Sequence, residues 1–233
     1  MTAIVDHVLA DPPALHGDET DPTLYGLNEP ALRCIAEHVR PGDVTLETGC
    51  GFSTLVFVGA GARHTCIVPD AAQAQRIETY LQRRPLGSGA VEFHLEPSEW
   101  VLPRLDRTPL DVVLLDGSHA FPQVFIDWFY TAHRLRVGGY LLVDDIHLWT
   151  GKVLRGFLSA ESSWSQEALL AGRTAFFRKT AETPPAAEWT DQPYVARRSR
   201  AAVVAQARIV MAMLSRGRYG DVVQALRRAA RGR

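Results

Sequence analysis

Three short clusters in this 233-residue sequence carry side chains that could do chemistry. Asp116-Gly117-Ser118-His119 follows the apolar run LDVVLL, and Asp144-Asp145-Ile146-His147 follows YLLV. Carboxylates suit hard-cation binding and charge recognition. An imidazole, with an ordinary pKa of about 6.5, can accept a proton at neutral pH. The third cluster, Glu47-Thr48-Gly49-Cys50-Gly51-Phe52-Ser53-Thr54, joins an acid to a glycine-rich turn. Glycines there let a ligand approach the backbone, and Ser53 opens a helix whose N–H groups face the same space.

These clusters sit at the ends of short apolar segments that read as strands: 44–48, 64–68, 90–95, 110–115 and 140–143. Between them fall helical segments at 53–60, 70–83 and 121–136, with a short helical piece at 97–103. A further helix starts at Asn28-Glu29-Pro30, and another covers 150–160. Residues 165–171 and 173–179 read as a hairpin around Gly172. Strands alternating with helices predict an α/β fold, a doubly wound and mostly parallel sheet covered on both faces. In such folds ligands bind at the carboxyl ends of the strands. Adjacent parallel strands would bring both acid clusters to that edge, beside the glycine-rich turn. The 28-residue spacing of Asp116 and Asp144 suits one helix-containing crossover.

The glycine-rich turn has three readings: a tight turn that binds nothing, a dinucleotide fingerprint, or a site for S-adenosylmethionine. Thr54 stands where the dinucleotide fingerprint wants a glycine, and Glu47 would repel a pyrophosphate. S-adenosylmethionine has no phosphate, and Glu47 could meet its ammonium directly or through water. At the acid clusters, three carboxylates repel one another unless something positive stands between them. Asp116, Asp144 and Asp145 could hold Mg²⁺ or Mn²⁺; the alternative is that Asp116 alone faces a cofactor while the pair caps a helix or meets solvent. His119 is a candidate general base or a helix-start hydrogen-bonding residue. His147 is a fourth ligand, a substrate contact or a surface residue, and with His119 and Asp116 it has the composition of a non-haem iron site.

Glu-x-Gly-x-Gly after the first strand resembles the first motif of class I S-adenosylmethionine-dependent methyltransferases, over about residues 28–180. The resemblance implies a seven-stranded Rossmann-like sheet in the order 3-2-1-4-5-7-6 with the last strand antiparallel. It implies cofactor contacts at Glu47, Gly49, Gly51, Ser53, Ser98 and Asp116. The family places an acid at the tip of the second strand, where this chain has Val68; Asp70 either substitutes or is a plain helix cap. The run LLDGSHAFPQVFIDWFYTAHRLRVGGYLLVDDIHLW is similar to metal-dependent small-molecule O-methyltransferases of the catechol, caffeoyl-coenzyme A and macrolide-sugar types. That likeness carries metal ligation onto Asp116, Asp144 and Asp145 and the base role onto His119, with Asp145 where that subset often has Asn.

Composition agrees with a globular chain: 46% hydrophobic residues, 22% charged and a net charge of −1. Cys34, Cys50 and Cys66 are odd in number and show no CxxC spacing, which points to a reducing compartment. With no basic leader and no long apolar run, the expectation is a cytoplasmic protein without a membrane segment. The divisions expected are an arm or loop at 1–27, a catalytic domain at 28–180, and a linker with two Arg-rich helices at 196–215 and 218–232. Residues 195–233 hold ten Arg and one acid. That extension lacks interleaved aromatics, which favours homodimerisation or a lid over nucleic-acid binding. Phe121, Phe125, Trp128 and Phe129 read as core, and Trp149 and Trp164 as possible pocket lining. The function expected is metal-assisted O-methylation of a small-molecule hydroxyl. The alternatives are a non-haem iron hydroxylase on the same fold, or a binding or assembly protein that has lost the cofactor.

Overall fold

Apolar strands buried on both faces need a layer of helices on each side, and the chain supplies them in alternation. The computed structural model describes residues 2–15, 26–84, 86–182, 188–217 and 220. The chain divides into two units, Met1–Pro184 and Pro185–Arg233. In the first unit the strands are β1 (Val44–Thr48), β2 (Arg63–Ile67), β3 (Ala90–His94), β4 (Leu110–Leu115), β5 (Leu135–Val143), β6 (Trp164–Leu170) and β7 (Thr174–Lys179). They lie in the order β3-β2-β1-β4-β5-β7-β6. β1 to β5 run parallel, and β7 is antiparallel to both β5 and β6. This is the seven-stranded Rossmann-like sheet that the resemblance implies. The helices are α1 (Thr2–Ala10), α2 (Glu29–His38), α3 (Phe52–Gly59), α4 (Ala71–Arg83), α5 (Ser98–Val101), α6 (Gln123–Ala132) and α7 (Trp149–Leu158).

The unbroken apolar run of β4 serves two cores at once. Val112 and Leu114 pack in the layer that holds α1, α2 and α3. Val113 and Leu115, on the other face, pack with Val124, Leu154 and Phe177. Strand order reverses between β1 and β4, so a crevice opens at their carboxyl ends.

Four expectations change. Residues 2–10, expected as a loop or arm, form α1, whose Val5 and Val8 are fully buried against α2 and α3. The helix expected to run to 136 ends at Ala132, and β5 begins at Leu135, paired with Leu110. The register shifts between Leu110 and Val112, and Gly138 (φ 87°) takes the left-handed conformation in that irregularity, so Val137-Gly138-Gly139 lies inside a strand. Phe121 precedes α6 and is 70% exposed, and Phe129 is also exposed; only Phe125 and Trp128 of the aromatic stripe pack on the core. Trp164 is buried in that core and lines no pocket described below.

In the second unit α8 (Pro193–Ser215) follows a short 3₁₀ turn at Trp189–Asp191. Arg197 and Arg198 stand over the Tyr194 ring, 6.0 and 5.4 Å from its centroid. Val204, Ile209 and Met211 are exposed. The second tail helix, expected at 218–232, lies outside the described residues apart from Gly220. Among the described residues no helix is long and apolar enough to cross a membrane.

Burial of α1 has a measurable consequence. Val8→Ala should lower unfolding free energy by about 1–3 kcal/mol in a denaturant titration. A change within about 0.5 kcal/mol, as expected for a surface site, would mean that α1 does not contribute to the core.

Candidate active site

A cavity of about 720 Å³ opens at the carboxyl edge of the sheet. One part of its wall is the turn after β1. Gly49 adopts φ 85°, and a Cβ there would collide with the Asp116 carbonyl oxygen. The turn is pinned on both sides, since Gly49 N donates to Ile67 O (2.9 Å) and Asp116 N to Thr48 O (3.0 Å). Of the residues expected as cofactor contacts, Gly49, Ser98 and Asp116 line the cavity. Ser98 Oγ donates to Asp127 Oδ1 and accepts from Gln123 Nε2, each at 2.7 Å. Burial raises the Asp127 carboxyl pKa, and these hydrogen bonds oppose the rise.

The other expected cofactor residues, Glu47, Gly51, Ser53 and Asp70, are not in the cavity wall. Glu47 is 1% exposed beneath the turn. It accepts from Ser53 Oγ at 2.6 Å and from Thr54 Oγ1, and His64 Nε2 lies 3.1 Å from its Oε1. Glu47 and Ser53 therefore brace the turn from behind. Gly51 is not in the cavity wall; its N–H donates to Thr54 Oγ1 at 3.0 Å. Asp70 is the plain helix cap, accepting from Ala72 N at 2.9 Å and Gln73 N at 3.1 Å. Val68 is buried against Cys66 and Ala74. Gln73 stands in the cavity wall instead, with Nε2 donating to Cys50 O at 3.1 Å. Nothing in the sequence separates Gln73 from an ordinary first-turn residue of α4.

The acid clusters do meet, with one exchange. His119 Nε2 lies 2.8 Å from Asp145 Oδ2. One ligand atom each from Asp116, His119 and Asp145 lie within 4.8 Å of one another. Asp144 is not part of this group and does not line the cavity. Its Oδ1 accepts from Thr174 Oγ1, which in turn accepts from Asn28 Nδ2 at 2.6 Å. The carboxylate trio expected to hold a cation thus loses Asp144, and His119 takes its place. His147 is exposed, with Nδ1 3.6 Å from Asp145 Oδ1.

The positive charge among these acids is Arg173, from the turn between β6 and β7. Its Nε donates to Asp145 Oδ1 at 2.6 Å and lies 3.3 Å from Asp144 Oδ2. In sequence Arg173 only opens the strand-like run 173–179; β7 pairing with β5 is what brings it to the site. Asp145 reaches both partners because its backbone sits at φ 49°, a conformation that Asp tolerates. That bend is held by Ile146 N to Arg173 O (3.0 Å) and Leu148 N to Asp145 O (2.9 Å).

Charge and burial set the protonation states. Burial, then repulsion from Asp144 and Asp145, pushes the Asp116 carboxyl well above the usual range. Its side chain makes no hydrogen bond among the described residues. The hydrogen bond to Asp145 raises His119 and lowers Asp145. Beside His119, Phe121 and Trp149 form an exposed aromatic shelf, ring centroids 6.4 Å apart. Thr150 Oγ1 donates to His119 O at 2.9 Å and ties the start of α7 to His119.

Residues 46–146 match a protein family described as a methyltransferase domain. Comparison with curated proteins finds no match. Among solved structures, the O-methyltransferase TomG from Streptomyces achromogenes is 18% identical, with a TM-score of 0.60 over 77% of this chain and 96% of that one. A methyltransferase from Geobacter sulfurreducens is 12% identical, with a TM-score of 0.57 over 78% and 97%. An rRNA methylase from Streptococcus thermophilus is 13% identical, with a TM-score of 0.51 over 65% and 95%. At these identities the structures speak for the fold alone. The domain match over residues 46–146 is to a methyltransferase domain, and the fold agrees with it.

The His119–Asp145 pair has a direct readout. A carboxylate beside imidazole favours the protonated ring, so His119 should titrate above its ordinary 6.5, and Asp145→Asn should lower that midpoint. Histidine NMR signals followed against pH, with His119→Gln to assign the signal, would measure it. A wild-type midpoint at or below 6.5 would refute the coupling.

Proposed function

We propose that this chain methylates the hydroxyl of a small molecule, with His119 as general base. The observation that carries the reading is the His119–Asp145 pair, 2.8 Å apart, in the wall of the cavity that Gly49 opens. The cavity volume falls within the range of small-ligand sites. Its wall suits the cofactor: a turn at Gly49 with no room for a side chain, Gln73 and Ser98 beside it, and the half-buried carboxyl of Asp116 open to the space. S-adenosylmethionine supplies an electrophilic methyl group on a positively charged sulfur. In this reading Asp116 meets its ammonium, and Glu47, buried beneath the turn, braces the turn instead.

His119 Nε2 carries its proton toward Asp145, which leaves Nδ1 as the acceptor. As the acceptor hydroxyl attacks, its proton passes to Nδ1, and Asp145 stabilises the resulting imidazolium. The base is active only when neutral, so activity should rise with pH through the raised His119 midpoint. The Phe121–Trp149 shelf offers an apolar surface to the body of the acceptor.

A second reading rests on the open Asp116 carboxyl and its convergence with His119 and Asp145. Mg²⁺ or Mn²⁺ there would take His119 as a ligand, and His119 could no longer serve as base. Arg173 already offsets part of the charge of Asp144 and Asp145, which favours the first reading.

Calorimetry on the full chain tests both. S-adenosylhomocysteine should bind in the micromolar range with chelator present, and Gly49→Ala should weaken it at least about tenfold through the clash with Asp116 O. No binding at millimolar ligand would refute the cofactor site. In a separate titration, stoichiometric Mn²⁺ uptake that disappears in Asp116→Asn would favour the metal reading. No heat at millimolar Mn²⁺ would favour the base.

A further inference from the structure

Arg173 engages its carboxylate neighbours through Nε alone, 2.6 Å from Asp145 and 3.3 Å from Asp144. Its two terminal NH₂ groups make no hydrogen bond among the described residues, are not among the buried orphaned atoms, and belong to a side chain in the cavity wall. A guanidinium whose stem is fixed and whose fork is open is a preorganised receptor for a planar oxyanion. The backbone that carries the fork is set apart from the turn at Gly49. Arg173 immediately precedes β7, three strands from β1 in the sheet, which at about 4.8 Å per strand places its backbone on the order of 14 Å from Gly49. It adjoins β5, which leads into Asp145, the partner of His119.

We propose that Arg173 binds a carboxylate of the acceptor, which makes the acceptor a hydroxy acid whose hydroxyl is presented to His119. This rests on the methyl-transfer reading above and adds the substrate class to it. A carboxylate suits the site better than a phosphate dianion, because Asp144 and Asp145, on the same guanidinium, repel a second negative charge. The aromatic shelf at Phe121 and Trp149, close in the chain to His119 and Thr150, favours a flat apolar body in the acceptor.

The test uses the full chain and three probes: 4-hydroxybenzoate, 4-hydroxybenzamide and 4-hydroxyphenyl phosphate, titrated by NMR, with S-adenosylhomocysteine titrated in parallel. In the wild type the benzoate should bind at least about tenfold tighter than the amide, as expected for a charge-assisted fork contact. Arg173→Gln should erase that ratio. Arg173→Lys, which keeps the charge but loses the fork, should retain only part of it. If Arg173→Gln does not fold, the wild-type and Arg173→Lys ratios decide. The proposal is overturned by equal benzoate and amide affinities, by a ratio that survives Arg173→Gln, by no benzoate binding at millimolar probe, or by tighter binding of the phosphate ester. Loss of S-adenosylhomocysteine binding with the benzoate preference intact would instead overturn the methyl-transfer reading and leave the carboxylate site standing.

Discussion

Repulsion among Asp116, Asp144 and Asp145 is the constraint on which the site depends, because one sheet edge collects all three. The chain meets it in three different ways. Asp144 is buried and shared between Thr174 and Arg173. Asp145 is held ionised between His119 and Arg173. Asp116 has no such partner and is pushed toward its neutral form. Three similar acids thereby become a group buried in the fold, a group paired with His119 and a group without a side-chain partner among the described residues. Arg173 serves two of the three, so the β6–β7 hairpin helps to shape the cavity wall as well as the edge of the sheet.

The glycine-rich turn shows the same division of labour. Glu47 is taken up by Ser53 and Thr54 from α3, the helix that the turn opens. A buried carboxylate satisfied by two hydroxyls holds the turn in shape and leaves the cavity wall to the backbone of Gly49 and the side chain of Gln73. Val68 follows the same logic: with the tip of β2 packed on Cys66 and Ala74, polar contacts in that part of the wall come from α4 and α5, through Gln73, Ser98 and Glu99.

The sequence by itself determined the layers, the strands and the edge at which the acids meet, because periodicity and apolar runs are local properties of the chain. The strand order came from family resemblance, and the structure agrees with it. Local signals failed where long-range packing decided. α1 holds Asp6 and follows no helix-start signal, yet burial of Val5 and Val8 makes it part of the core. The glycine pair at 138–139 reads as a helix stop, and pairing of Leu135 with Leu110 turns it into the interior of a strand. At the site, residue types could place Asp116, His119 and Asp145 near one another. They could not show that Asp144 faces Thr174, that Glu47 faces away, or that Arg173 is the cation. Each depends on which side chain lies opposite across the sheet or the turn, and only the tertiary structure sets that, since a side chain's partner is fixed by packing in three dimensions and not by its neighbours in the chain.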